Sequence, residues 1–176
     1  MKLRFIVLLM LALGLSGCAS LSKEQCLAGN WDEVGYRDGR QGYKTISLDK
    51  HTESCAEYGV RPNREQYKQG YNKGIAFYCT PSNGRHIGER GDYYHYVCPP
   101  NLEPEFLDNY RYGKELHDAK DKIEDTQNDL RKKEDQLRIE KNASIRDSLR
   151  SEISALDDLV RTLQRNYNHL RDNPPR

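Results

Sequence analysis

Net charge is almost absent from this sequence: 28 lysines and arginines stand against 27 aspartates and glutamates. That balance leaves no field strong enough to recruit nucleic acid, and no nucleic-acid partner is expected. Long apolar runs are absent as well. The one uncharged stretch of note, from Phe5 to Leu15, is too short to cross a bilayer. There is no Cys-x-x-Cys pair, and the cysteines do not have zinc-finger spacing, so a metal site built from them with His51, His86 or His95 is disfavoured. His-Glu-x-x-His, a Gly-Lys-Ser/Thr phosphate loop and an order of Ser, His and Asp that would nominate a triad are likewise missing. No enzyme, catalytic residue, metal or cofactor is therefore expected, and a hydrolase is the weakest of the functional readings.

What is present begins at the N-terminus. Lys2 and Arg4 precede the apolar run, giving the charged start and greasy middle of a secretory signal. The run ends in Leu15-Ser16-Gly17-Cys18, which resembles the bacterial lipobox. That resemblance implies cleavage before Cys18 and acylation of its thiol and freed amine. Several acyl chains make a stable anchor where one would be marginal. Ala19 follows the cysteine, where an aspartate would signal retention in enteric lipoproteins, so the expected location is the outer membrane, lipid-anchored and facing the periplasm. Without Lys2 and Arg4, 26 basic residues face 27 acidic ones.

Four cysteines then remain, Cys26, Cys55, Cys79 and Cys98. An even number in a short exported segment reads as two disulfides, each contributing about 2 to 4 kcal/mol to a domain too small for a large core. Three pairings are possible. Cys26 with Cys55 and Cys79 with Cys98 is favoured, because the turn signal Asn83-Gly84 lets the second pair close a hairpin base; the sequence leaves the others open.

Composition shifts sharply along the chain. Eleven of the twelve tyrosines and the single tryptophan lie before Gly113, whereas the segment from Gly113 to Arg176 holds 14 basic and 14 acidic residues among leucine, isoleucine, asparagine and serine. A boundary is expected between Leu102 and Gly113. Before it runs a degenerate repeat: Gly35-Tyr36-Arg37-Asp38-Gly39, then Gly70-Tyr71-Asn72-Lys73-Gly74, then the weaker Tyr110-Arg111-Tyr112-Gly113, each preceded by an aromatic residue, Trp31, Tyr67 or Phe106. Gly35, Gly39 and Gly42 share one helical face, as do Gly70 and Gly74, and a face without side chains lets another element approach closely. Leu48 to Tyr58 reads as a helix with His51 and Cys55 one turn apart. Asn63 with Gln66 then caps a helix running to about Tyr78.

From Thr80 to Pro100 the glycines, Pro81 and the β-prone run Tyr93-Tyr94-His95-Tyr96-Val97 predict a disulfide-closed loop or short β-ribbon. Tyr93, Tyr94, His95 and Tyr96 are its candidate ligand surface, suited to stacking on sugar rings, although tyrosines covering a small core are the commoner case. Beyond Gly113 the apolar residues fall in heptads. Leu116, Ile123, Leu130 and Leu137 form one series; Leu149, Ile153, Leu156, Val160, Leu163, Tyr167 and Leu170 form another. The registers break at Lys141-Asn142-Ala143-Ser144, where Asn or Ser can cap a new helix. Two equal segments, 114–140 and 145–171, predict an antiparallel helical hairpin, with one long stuttered helix as the rival. Lys120, Gln127 and Glu134 thin the first seam, which calls for a partner helix or dimerisation.

The string from Trp31 to Leu116, with Gly35-Tyr36-Arg37-Asp38-Gly39, His51-x-x-x-Cys55, Tyr67-x-x-Gly70-x-x-x-Gly74, Tyr78-Cys79, Asn83-Gly84, Gly88-x-x-Gly91, Cys98-Pro99 and Tyr110-x-x-Gly113, resembles the Gram-negative lipoproteins grouped as domain of unknown function 2799. The resemblance implies a lipid anchor and often a helical extension, and brings no activity or cofactor. The expected layout is a signal peptide over 1–17, a lipidated tether over 18–29, a Cys/Tyr/Gly-rich domain over 30–112, a charged hairpin over 113–171 and a tail over 172–176. The fold class is mostly α. The expected role is a non-enzymatic interaction or scaffold protein that contacts an envelope protein, or itself, through the hairpin; the alternative is a module binding peptidoglycan or another glycan.

Overall fold

The computed structural model describes residues 20–174. The signal-peptide and lipobox readings, Cys18 included, therefore lie outside the described residues. Among the described residues seven helices follow one another: α1 (Lys23–Ala28), α2 (Trp31–Arg40), α3 (Ser47–Ala56), α4 (Arg64–Tyr78), α5 (Pro81–Glu89), α6 (Glu103–Ile139) and α7 (Ala143–Asp172). No strand occurs among the described residues, and none of these helices is long and apolar enough to cross a membrane. The chain divides into two compact units, meeting in sequence at Tyr78 and Cys79.

In the first unit α2 packs on α4 through glycine. A Cβ on Gly35 would lie 2.0 Å from the Tyr67 carbonyl oxygen and one on Gly39 2.4 Å from that of Tyr71. The approach is reciprocal, since Gly70 and Gly74 meet the carbonyls of Asp32 and Tyr36 at 1.8 and 2.1 Å. No side chain fits between the backbones, so the glycines repay their poor helix propensity by letting the axes close. The Cys26–Cys55 disulfide ties α1 to α3. Ser22 caps α1 in a reciprocal capping box with Gln25, and Leu21 and Cys26 are buried. The stretch expected to be a tether is thus folded from Ser20 onward.

The second unit repeats the device. Gly84 and Gly88 of α5 would place Cβ atoms 2.4 and 2.2 Å from the carbonyls of Phe106 and Tyr110, and Gly113 of α6 meets that of Arg85 at 2.2 Å. A shift of 49 residues carries the first helix of one pair onto that of the other, Gly35 to Gly84 and Gly39 to Gly88. A shift of 39 carries the second helix, Tyr67 to Phe106, Tyr71 to Tyr110 and Gly74 to Gly113. The details after the first helix match too. Gly42 and Gly91 both have positive φ, 68° and 74°, and abut the rings of Tyr78 and His117. The Tyr71 hydroxyl donates to the Tyr43 carbonyl at 2.7 Å, and the Tyr110 hydroxyl to the Asp92 carbonyl at 3.0 Å.

The repeating element is therefore a glycine-faced helix pair. The three glycine-tyrosine strings are its parts, the first two being the two halves of one pair. Pro81 and Gly84, expected to break helices, sit inside α5: Pro81 occupies its first turn behind the Thr80 cap, which accepts from the Asn83 N–H, and Gly84 and Gly88 form its contact face. Of the ribbon and the loop expected over 80–100, residues 90–102 are loop, and the ribbon is replaced by α5. Cys79 bonds to Cys98 across that region, so both favoured pairings are present.

Helices α6 and α7 form the expected antiparallel hairpin. Asn142 caps α7, accepting from the N–H groups of Ser144 and Ile145. The Arg146 guanidinium clasps the turn, donating to the carbonyls of Leu137 and Glu140. At the other end the Tyr112 hydroxyl donates to the Leu170 carbonyl at 3.0 Å. α6 runs unbroken through Gly113, so one helix serves both the glycine pair and the hairpin.

Candidate functional site

A buried polar cluster occupies the first unit. Along α2 the core stripe runs Trp31, Val34, Gly35, Asp38, Gly39, which places a carboxylate where the helical period calls for an apolar side chain. Asp38 is met from two sides. The Tyr67 hydroxyl of α4 donates to its Oδ2 at 2.7 Å, and His51 Nε2 of α3 lies 2.8 Å from the same oxygen. His51 is one turn before Cys55, so the disulfide that fixes α3 also aims the imidazole. A carboxylate only accepts, so Nε2–H donates to it. Ser20 Oγ lies 2.9 Å from Nδ1 and 3.0 Å from the Ser54 hydroxyl. The Ser20 N–H donates to Ser54 Oγ at 3.1 Å. Burial first, and the Asp38 hydrogen bond second, push the Tyr67 hydroxyl far above its ordinary titration range; burial raises Tyr71 to about 12.

The second unit shows what the fold itself requires at these places. The same shifts that superpose the glycines carry Asp38 to Ile87 and Tyr67 to Phe106, both buried and apolar. The helix pair forms with hydrocarbon there, so the aspartate and tyrosine hydroxyl are additions to the fold. The sequence reading offered no Ser, His and Asp order, yet folding brings Ser20, Asp38 and His51 into one relay. Acyl transfer would further need N–H donors aimed at an oxyanion, and the Ser20 N–H is already taken by Ser54. What the relay does is hold Ser20, its exposed member, in place by three contacts. Beside it opens a cleft lined by Arg37, Gln41, Tyr43, Ser47 and Lys50.

The tyrosine loop divides. Tyr94 is 1% exposed, its ring 4.7 Å from that of Phe106 and its hydroxyl accepting from the Cys98 N–H, so it belongs to the core and leaves the candidate surface. Tyr93 and Tyr96, at 69% and 68% exposure, remain on it with His95, whose ring lies 5.1 Å from that of Tyr93. Tyr96 has φ 55°, the one non-glycine residue described in the left-handed region. Among the described residues no group of three or more His, Cys, Asp or Glu is placed to hold a metal.

Residues 30–115 match the sequence profile of a family described as protein of unknown function (DUF2799). The match covers just under half of the chain. Comparison with curated proteins and with solved structures returns no match. The matched region spans both glycine-faced pairs and ends just after Gly113, at the third glycine of the second pair. Asp38, His51, Tyr67 and the tyrosine loop lie within it, whereas Ser20 and most of the hairpin lie outside.

In the hairpin past Gly113 only Leu116, Thr126, Leu149 and Val160 are buried. Ile123, Leu130 and Leu137 of α6 and Ile153, Leu156, Leu163, Tyr167 and Leu170 of α7 keep part of their surface in solvent, and Leu159 and Ile145 are exposed. Lys133 and Glu152 bridge the helices at 2.7 Å.

Proposed function

We propose that the protein is an outer-membrane lipoprotein, anchored through acyl chains on Cys18 and facing the periplasm, that acts as a non-enzymatic interaction or scaffold protein. The observation that carries this reading is the apolar seam of α6 and α7: Leu116, Leu149 and Val160 are buried, but its other residues are only partly so although the two helices already pair. Two heptad-patterned helices whose seam is only partly covered suit a further helix alongside it, from an envelope protein or a second copy. The two disulfides fit an oxidising compartment. Sedimentation of the soluble chain, together with a search for crosslinked envelope partners, tests the reading. A self-associated or partner-bound species that Leu159→Asp disrupts supports it; a monomer with no reproducible partner refutes it.

A second reading, glycan binding, keeps support from Tyr93, His95 and Tyr96, exposed rings on a disulfide-closed loop with a left-handed backbone at Tyr96. Co-sedimentation with purified sacculi, lost in Tyr93→Ala with Tyr96→Ala, is its expected signature. Failure of the intact protein to co-sediment excludes it.

A further inference from the structure

We propose that the first unit lies directly on the membrane surface, with the cleft beside Ser20 facing the phosphate headgroups of the bilayer that holds the Cys18 acyl chains. This rests on the lipid-anchor reading and goes beyond it, because an anchor alone would allow a domain swinging on a tether. The chain length forbids the tether. Only Ala19 separates Cys18 from Ser20, and two residues reach at most about 7 Å whatever their conformation. Each headgroup layer is itself about 5 to 7 Å deep, so Ser20 sits at or just above it.

Ser20 is not free to pivot. Its N–H and Oγ are bound to Ser54, its Oγ also to His51, and the next residue, Leu21, is 2% exposed. His51 is itself locked to Asp38, whose same oxygen also accepts from the Tyr67 hydroxyl. The Asp38, His51 and Ser20 relay, which the second unit does without, thereby transmits the position of the anchor to the core of the first. The surface next to the clamp has the chemistry for the contact. The lining of the cleft has two cations, Arg37 and Lys50, hydroxyls on Tyr43 and Ser47, and one carboxylate, Asp38, which is buried and accepts from His51 and Tyr67 on Oδ2. Tyr43 is half-exposed, with its ring free to sit at the interface as tyrosines do. Basic side chains held within a Debye length of about 8 Å of an anionic surface are attracted by it.

The test uses the full lipidated chain in nanodiscs of phosphatidylethanolamine with a minor share of phosphatidylglycerol and a trace of lipid carrying a gadolinium chelate on its headgroup. Mass spectrometry of the same sample reads acylation of Cys18. The expected result is paramagnetic broadening of the amide signals of Arg37, Tyr43, Ser47 and Lys50. It should fall several-fold when about 16 Gly and Ser residues, whose ends lie about 22 Å apart, are inserted between Ala19 and Ser20. Ser20→Ala with Ser54→Ala, which removes the clamp at two side chains outside the core, should reduce it in the same direction. Equal broadening with and without the insertion, or none in the parent, overturns the proposal while leaving the anchor intact. An unmodified Cys18 removes the anchor reading, and this proposal with it.

Discussion

Tyr67 and Tyr71 share α4, and both hydroxyls titrate above the ordinary value of 10.0 because their neutral forms are the ones the core accommodates. A group whose folded pKa is raised contributes stability that is complete below its unfolded pKa and is lost as pH rises towards the folded one. Stability is therefore expected to hold to about pH 10 and to fall above it, and Tyr67→Phe should flatten that fall. At neutral pH the same variant leaves Asp38 without one of its two donors and should lose about 1 to 3 kcal/mol; urea unfolding at pH 7 and pH 11 checks both. The aspartate was legible as an anomaly: a carboxylate three residues after Gly35 and four after Val34 lies on the buried stripe of α2. Its partners were not. Tyr67 is 29 residues away and Ser20 is 31 residues from His51, and no local spacing records contacts that only the packing of four segments creates.

At the scale of elements, the glycine faces were readable from spacings of three and four, since no other role explained so many glycines in helical register. The pairing was harder. Gly35–Gly39 and Gly70–Gly74 look like two copies of one motif because each lines one side of the same contact. The actual second copy hid behind Pro81-Ser82-Asn83-Gly84, whose turn-forming residues are equally good as a helix first turn behind Thr80. Gly35→Ala and Gly88→Ala should each push a pair apart, at about 3 kcal/mol or more. Gly59→Ala, at φ 70° with open space around its Cβ, should lose only about 1 to 2 kcal/mol. Thermal unfolding of the three variants distinguishes close approach from backbone strain. In the hairpin, heptads and the Asn142 cap were legible because both are local; Asn142→Ala should remove about 1 kcal/mol without altering helix content.

For the whole molecule, two short helix pairs each gain a disulfide that closes the connection between their helices to the segment ahead of them. Removing either bridge by Cys→Ser replacement of both partners should cost about 2 to 4 kcal/mol, read as a lowered melting temperature. The position of Tyr94, by contrast, escaped the sequence. Among four adjacent β-prone residues only packing against Phe106 decides which ring turns inward, and alternation predicts Tyr94 and Tyr96 together. The left-handed Tyr96 breaks that alternation and leaves its own ring in solvent.

The partly covered seam of the hairpin is proposed as the surface that meets an envelope protein or a second copy of the chain. Photoreactive residues placed at Ile145, Ile153 and Leu159, and separately at Tyr93 and His95, in the intact protein in living cells would capture whatever lies against each surface. Reproducible protein adducts are expected from the hairpin positions, and Leu156→Asp should abolish them. Adducts confined to the loop positions, and of glycan, would contradict the proposal.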